Sequence, residues 1–285
     1  MVASRRSSLN AVRRREVLAL GGLTAFGLLA GCGASEPNPA PEPTEPATTA
    51  SSPAGVPVVT RSLPTTNLPS GQAEWALAVP TTGSAAGLVI VLHGAGHTGP
   101  RAFSELALAT HVDATGLALA APSGGNTWWH PTDSDGDGLA LVIDDLIPAA
   151  LAATGLPDTT RVGLLGYSMG GYGALLVGAE LGPQRVRAIV AQAPALFTDP
   201  RQAGHAFDSA DAFNQWSITG TRIDTLRHIP VWIDCGEEDS FIEVSRQLAQ
   251  ALPQAKATFR PGAHDTAVWR PLVGDELAWI ADQPA

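Results

Sequence analysis

The hexapeptide Gly166-Tyr167-Ser168-Met169-Gly170-Gly171 sets a serine among glycines, directly after the apolar run 162–165 and ahead of a helix-like stretch at 169–181. A G-x-S-x-G segment between strand and helix suits a sharp, strained turn that exposes a nucleophilic hydroxyl at a helix N-terminus. A serine hydroxyl attacks a carbonyl only when a base removes its proton, and the base works best when an acid orients it. His264, in Gly262-Ala263-His264-Asp265, lies just beyond the run 257–260 and is the candidate base. Cys235-Gly236-Glu237-Glu238-Asp239 lies just beyond the run 231–234, where Asp234, Glu237, Glu238 and Asp239 compete for the acid role. Asp234 falls inside the run and Glu237 begins the turn, so Asp239 is best placed to reach across. An oxyanion formed in the reaction needs two backbone N–H donors. Met169, next to the nucleophile, supplies one, and Ala95 in His93-Gly94-Ala95-Gly96, after the run 88–92, supplies the other.

These residues must all sit at strand ends. Apolar runs bounded by turn residues recur at 75–79, 88–92, 117–121, 162–165, 188–191, 231–234 and 257–260, as expected of strands buried on both faces of a parallel sheet. Helix-like stretches at 101–114, 139–154, 169–181, 243–252 and 266–281 alternate with them. That alternation predicts an α/β fold with a mostly parallel, doubly wound sheet. Residues 195–229 break the rhythm and are expected to form a small cap over the carboxyl ends of the strands.

The segment from Leu164 to Leu175, followed by Ala191-Gln192-Ala193-Pro194-Ala195, resembles the esterase D branch of the α/β-hydrolases. The resemblance runs over about residues 72–281 and includes Asp239-Ser240-Phe241 and His264 with Trp269 five residues later. That branch holds S-formylglutathione hydrolases, feruloyl and acetylxylan esterases and mycolyltransferases. It implies serine-dependent acyl transfer through an acyl-enzyme, with no cofactor, and leaves the ester unspecified. The leading expectation is hydrolysis of a small-molecule or carbohydrate-linked ester. The alternatives are transfer of the acyl group to an envelope sugar or lipid, and a non-catalytic surface binding protein.

The first 31 residues read as an export signal: five Arg precede an apolar run of about 15 residues, too short to span a bilayer comfortably, which closes on Leu29-Ala30-Gly31-Cys32. Leu-Ala-Gly-Cys resembles a bacterial lipobox and makes Cys32 the expected lipidation site, while Arg14-Arg15 resembles a twin-arginine export motif. Residues 32–70, rich in Pro, Thr and Ala, read as an unstructured tether, leaving 71–285 as one hydrolase domain. The expected location is therefore the extracytoplasmic face of a membrane. Residues 32–285 carry 12 basic against 26 acidic groups, a balance that argues against a nucleic-acid partner. No protein partner is expected.

Asp133-Ser134-Asp135-Gly136-Asp137-Gly138 resembles a calcium loop, but its twelfth position is Asp144 rather than Glu and no helix precedes it. An acidic loop at the pocket rim, without metal, is the expectation. Trp129 and His130, after the run 117–121 and a glycine-rich turn, are the candidate substrate-binding residues. His97 is expected to be exposed, and Cys235 to be a core thiol.

Overall fold

The computed structural model describes residues 55–285. The expected signal, lipobox Cys32 and the tether up to residue 54 lie outside the described residues.

Eight strands form one sheet in the order β1-β2-β4-β3-β7-β8-β9-β10. They are β1 (Val58–Pro64), β2 (Gln72–Ala78), β3 (Gly87–Leu92), β4 (Leu117–Pro122), β7 (Val162–Tyr167), β8 (Val186–Gln192), β9 (Val231–Gly236) and β10 (Lys256–Arg260). The two-residue strands β5 (Pro131–Thr132) and β6 (Gly136–Asp137) form a separate hairpin. β2 pairs antiparallel with both β1 and β4, and every pairing from β4 to β10 is parallel. This is the doubly wound α/β architecture the alternation predicted.

Side chains along the central strands alternate between two cores. Leu88, Ile90 and Leu92 of β3 face one side, and Val89 and Val91 face the other. The first core is closed by α3 (Gly138–Ala140), a π-helical segment Leu141–Leu146, α4 (Ile147–Thr154), α5 (Met169–Leu181) and α8 (Ile242–Ala251). The second is closed by α1 (Gly99–Glu105), α2 (Val112–Thr115), α9 (Thr266–Trp269) and α10 (Val273–Asp282). Because both faces are covered, strands such as β3, β4 and β7 are buried at every residue.

Three expectations change. The tether does not extend to residue 70, because Val58–Pro64 pairs residue for residue with Gln72–Ala78 as the edge strand of the sheet. The β-branched Val58, Val59 and Thr60 favour extended backbone, and the Thr65 hydroxyl and Asn67 amide anchor the following turn on Asp145 at 2.5 and 2.8 Å. The stretch 101–114 is broken at Ala107, which takes a left-handed φ of 52° between α1 and a 3₁₀ turn, Leu108–Thr110. The stretch 266–281 likewise divides into α9, a 3₁₀ turn at Arg270–Leu272 that carries Pro271, and α10. Between β8 and β9, residues 195–229 fold into α6 (Ala210–Trp216) and α7 (Thr221–Leu226). They are fastened to the first turn of α5 by the Tyr172 hydroxyl, which donates to the Trp216 carbonyl at 2.8 Å.

Candidate active site

The chain runs from β3 to β4 on one side and then returns to β7 on the other, so the order of the sheet reverses between β3 and β7. Loops leaving such neighbours at their carboxyl ends diverge and open a crevice. The loop 93–97 and Ser168 stand on its two sides.

Ser168 is the N-cap of α5 with φ 57° and ψ −121°, a conformation that strains any residue with a Cβ. Glycines make the turn possible by clearance. A Cβ on Gly166 would strike the Gly170 carbonyl, and one on Gly170 would strike the Leu92 carbonyl, so α5 starts in direct contact with β3. The Ser168 N–H donates to the Gln192 carbonyl at 2.9 Å, and the Ser168 carbonyl accepts from Gly171, Tyr172 and Ala195.

Ser168 Oγ lies 2.8 Å from His264 Nε2, and His264 Nδ1 lies 2.7 Å from Asp239 Oδ2. With Nδ1–H donating to the carboxylate, Nε2 is left to accept the serine proton. The Asp239 side chain is fully buried, and its other oxygen accepts the Phe241 N–H at 2.8 Å, which fixes the carboxylate plane. The His264 ring is wedged edge-on between Trp269 and Phe241, with centroids at 4.9 and 5.4 Å. Two of the other acids are occupied elsewhere. Asp234 pairs with Arg260 at 2.7 Å, and Glu238 accepts from the Gly262 N–H.

Met169 is the first helical residue, so its N–H has no acceptor inside the helix. Ala95 is exposed in the loop after β3. Its neighbour Gly94 packs so closely that a Cβ there would lie 3.4 Å from the Ser168 Cβ and 3.0 Å from the Tyr167 ring. The loop is held from beneath by His93, which sequence reasoning missed. His93 is fully buried; its Nε2 accepts the Gly124 N–H at 3.0 Å, and its Nδ1–H donates to the Gly94 carbonyl at 2.8 Å. Burial pulls its pKa down to about 4, which keeps the ring neutral and the tautomer fixed.

Trp129 and His130 do not line the crevice. Trp129 is fully buried, its indole N–H donates to the His93 carbonyl at 3.3 Å, and its ring fills the space left by Gly124 and Gly173. Its φ of 58° turns the ring inward. His130 is also fully buried, stacked on Phe207 at 4.9 Å, and its two ring nitrogens face the carbonyls of Pro131 and Ala206 at 2.7 and 2.8 Å. It latches the cap segment to the body rather than meeting a ligand. His97, expected at the surface, instead sets Nδ1 2.9 Å from both the Tyr167 hydroxyl and the Glu105 carboxylate.

The acidic loop 133–138 is tied to the elements around it. Asp137 caps α3 through the Ala140 N–H, and the Asp133 N–H donates to Asp208 at 2.7 Å. Among the described residues no group of His, Cys, Asp and Glu gathers to hold a metal ion. Cys235 is buried, and burial pushes its thiol up to about 12, out of reach of thiolate chemistry at neutral pH.

A cavity of about 560 Å³ opens beside the site, under the cap. Tyr172, Ala195, Leu196, Phe197, Ile218 and Ile223 line it. Neither Ser168 nor His264 is part of its wall, yet Ser168 is one contact away and His264 two. Tyr172 and Ala195 donate their N–H groups to the Ser168 carbonyl, and Phe197 packs on Phe241, which packs on His264. A volume of this size is ordinary for a small-molecule pocket.

Comparison with known proteins agrees with this geometry. A family model described as "Putative esterase" matches residues 130–280. FphF, a fluorophosphonate-binding serine hydrolase of Staphylococcus aureus, superposes with a TM-score of 0.67 at 14% identity, covering 81% of this chain and all of its own. A ferulic acid esterase gives 0.67 at 18% identity, covering 79% of this chain and 98% of its own. The S-formylglutathione hydrolase of Agrobacterium tumefaciens gives 0.67 at 18%, covering 80% and 95%. At such identities the likeness establishes the α/β-hydrolase fold. No curated protein sequence matches the chain.

Proposed function

The chain belongs to the esterase family and hydrolyses carboxylic esters, and from that premise we propose that it does so through an acyl-enzyme formed on Ser168. The hydrogen-bonded series Asp239–His264–Ser168 carries the reading. His264 Nε2 takes the proton from Ser168 Oγ as the oxygen attacks the ester carbonyl, and Asp239 stabilises the imidazolium that results. The N–H groups of Met169 and Ala95 receive the oxyanion. His264 then protonates the departing alcohol, and a water molecule, deprotonated in turn by His264, releases the acid and restores Ser168.

The apolar wall formed by Leu196, Phe197, Ile218 and Ile223 suits an alkyl or aryl acyl group rather than a charged one. The lipobox ending in Cys32 supports an enzyme tethered to the outer face of a membrane by a lipid on Cys32, since the acidic balance of residues 32–285 gives the domain no attraction of its own for anionic headgroups. Small-molecule or carbohydrate esters outside the cytoplasm are then its substrates.

Ser168→Ala should abolish both hydrolysis of p-nitrophenyl acetate and labelling by a fluorophosphonate; labelling that persists in the variant overturns the assignment. Ile223→Trp, which narrows the cavity, should lower kcat/KM for a hexanoate ester and spare the acetate. Cys32→Ala should move the protein from the membrane fraction to the soluble fraction.

A further inference from the structure

Behind His264, on the side away from the crevice, the ends of β8 and β9 and the start of α10 enclose a polar cluster. Gln192, Asp234 and Glu276 are all fully buried there. Gln192 closes β8 opposite Tyr167 on one side and Asp234 on the other. Its carbonyl accepts the Ser168 N–H at 2.9 Å. Its side-chain Nε2 donates to the Trp269 carbonyl at 3.2 Å and to Glu276 Oε2 at 2.6 Å. Trp269 is the residue whose ring packs edge-on against His264. Next to it, Arg260 reaches both Asp234 and the Val268 carbonyl.

Gln192 thus holds the nucleophile turn by its main chain and the segment that buttresses the base by its side chain. We infer that Gln192, oriented by Glu276, is a positioning residue that sets the distance between Ser168 and His264. The inference rests on the reading of Ser168 as the nucleophile.

The chemistry of the cluster fits that role. Gln192 Nε2 spends both of its hydrogens on two fixed acceptors, one main chain and one side chain, so the amide has a single orientation. Burial, reinforced by Asp234, pushes the Glu276 carboxyl well above the usual carboxylate range, while the bond from Gln192 pulls it back down. The charged and titratable groups around it are Asp234, Arg260 and Lys256. Apolar residues would fill the same volume without burying amide and carboxyl atoms, which is costly where they remain unpaired. What apolar residues could not do is bind the Trp269 carbonyl. Displacements of about 1 Å in a catalytic constellation cost on the order of 10²-fold in rate, so a modest shift of Trp269 would register in kcat.

The test compares Glu276→Gln, Glu276→Leu and Gln192→Met in the full chain, with Ser168→Ala alongside. Active sites are counted by fluorophosphonate titration, and kcat, KM and Tm are measured with p-nitrophenyl acetate. Glu276→Gln keeps an oxygen that accepts from Gln192 and should retain kcat within about 3-fold, whereas Glu276→Leu and Gln192→Met should lose on the order of 10–10² in kcat with KM unchanged. Should Glu276→Leu fail to fold, Gln192→Met decides, since it roughly keeps volume while removing the amide and with it both donated bonds. A purely structural role predicts a lower Tm with kcat per titrated site unchanged, and that result overturns the proposal. Equal losses in Glu276→Gln and Glu276→Leu overturn the role given to Glu276. Activity that survives in Ser168→Ala instead overturns the acyl-enzyme reading itself, so the two failures are distinguishable.

Discussion

His93 ties the stability of the fold to the loop that would receive the oxyanion, and its titration gives a quantity that can be measured. In the unfolded chain the imidazole binds a proton at pKa 6.5, whereas in the folded protein burial holds it down to about 4. A folded-state pKa below the unfolded one gives stability that is fully present above pH 6.5 and is lost as the pH falls toward 4. Between pH 7 and pH 5 the imidazole of the unfolded chain goes from mostly neutral to almost fully protonated while the folded ring stays mostly neutral, so this one group should remove about 2 kcal/mol of stability. Asp234 works in the opposite direction, since burial raises its pKa to about 6 and its contribution fades as the pH rises. A difference measurement removes it. In His93→Gln the titrating group is gone, an acceptor for the Gly124 N–H is kept, and every other ionisable group is shared with the parent protein. Urea unfolding of both proteins at pH 7, 6 and 5 should show the parent losing about 2 kcal/mol more than the variant over that range, whatever the offset between them at pH 7. Curves that stay parallel would show that His93 is not held neutral in the fold, and the account of how it locks the loop would fall with it.

Ser168→Gly should be more stable than Ser168→Ala by about 1 kcal/mol, because glycine relieves strain of about 1–3 kcal/mol and returns part of that as chain entropy; the two lose the same hydroxyl, so equal Tm values would argue against strain at the turn. Gly94→Ala brings a methyl group against Tyr167 and Ser168 and should lower kcat by on the order of 10-fold with little change in Tm; an unchanged kcat would separate this loop from the reaction. Trp129→Ala should cost about 3–5 kcal/mol in urea unfolding. If it instead raised KM at unchanged stability, Trp129 would be a ligand contact after all.

The central strands were legible to within a residue or two because both of their faces are covered, so each reads as an unbroken apolar run. β1 was not, since its side chains are mostly exposed and it sits in composition that resembles a linker. The order of Ser168, Asp239 and His264 could be read because each follows a strand whose end the apolar pattern marks. The direction of a side chain leaves no such mark. Trp129 and His130 lie where a pocket was expected, but positive φ at Trp128 and Trp129 turns the chain so that both rings point into the protein. His93 stood next to the predicted oxyanion loop, and its adjacency to Gly94 was the one signal that could have drawn attention to it. Gln192 and Glu276 are 84 positions apart, and nothing local announces that they meet.

The groups that fix this site have one feature in common: they bond to main chain. His93 holds the Gly94 carbonyl and the Gly124 N–H, Gln192 holds the Trp269 carbonyl, and Asp239 holds the Phe241 N–H while it orients His264. A bond to main chain does not depend on the side chain its partner carries, so residues such as 94 and 124 are constrained by space alone. Those constraints are severe. A Cβ on Gly124 would run into the Trp129 ring, and one on Gly94 would press on Tyr167. The geometry at Ser168 is therefore set by a few buried polar side chains and by glycine positions with little or no room for a side chain, while the surfaces that would meet the ester, Ala95 and the wall of the cavity, are free to differ. Substitutions in the cavity should thus change which ester is accepted without moving the hydroxyl that attacks it, whereas substitutions beneath the site should slow every ester alike.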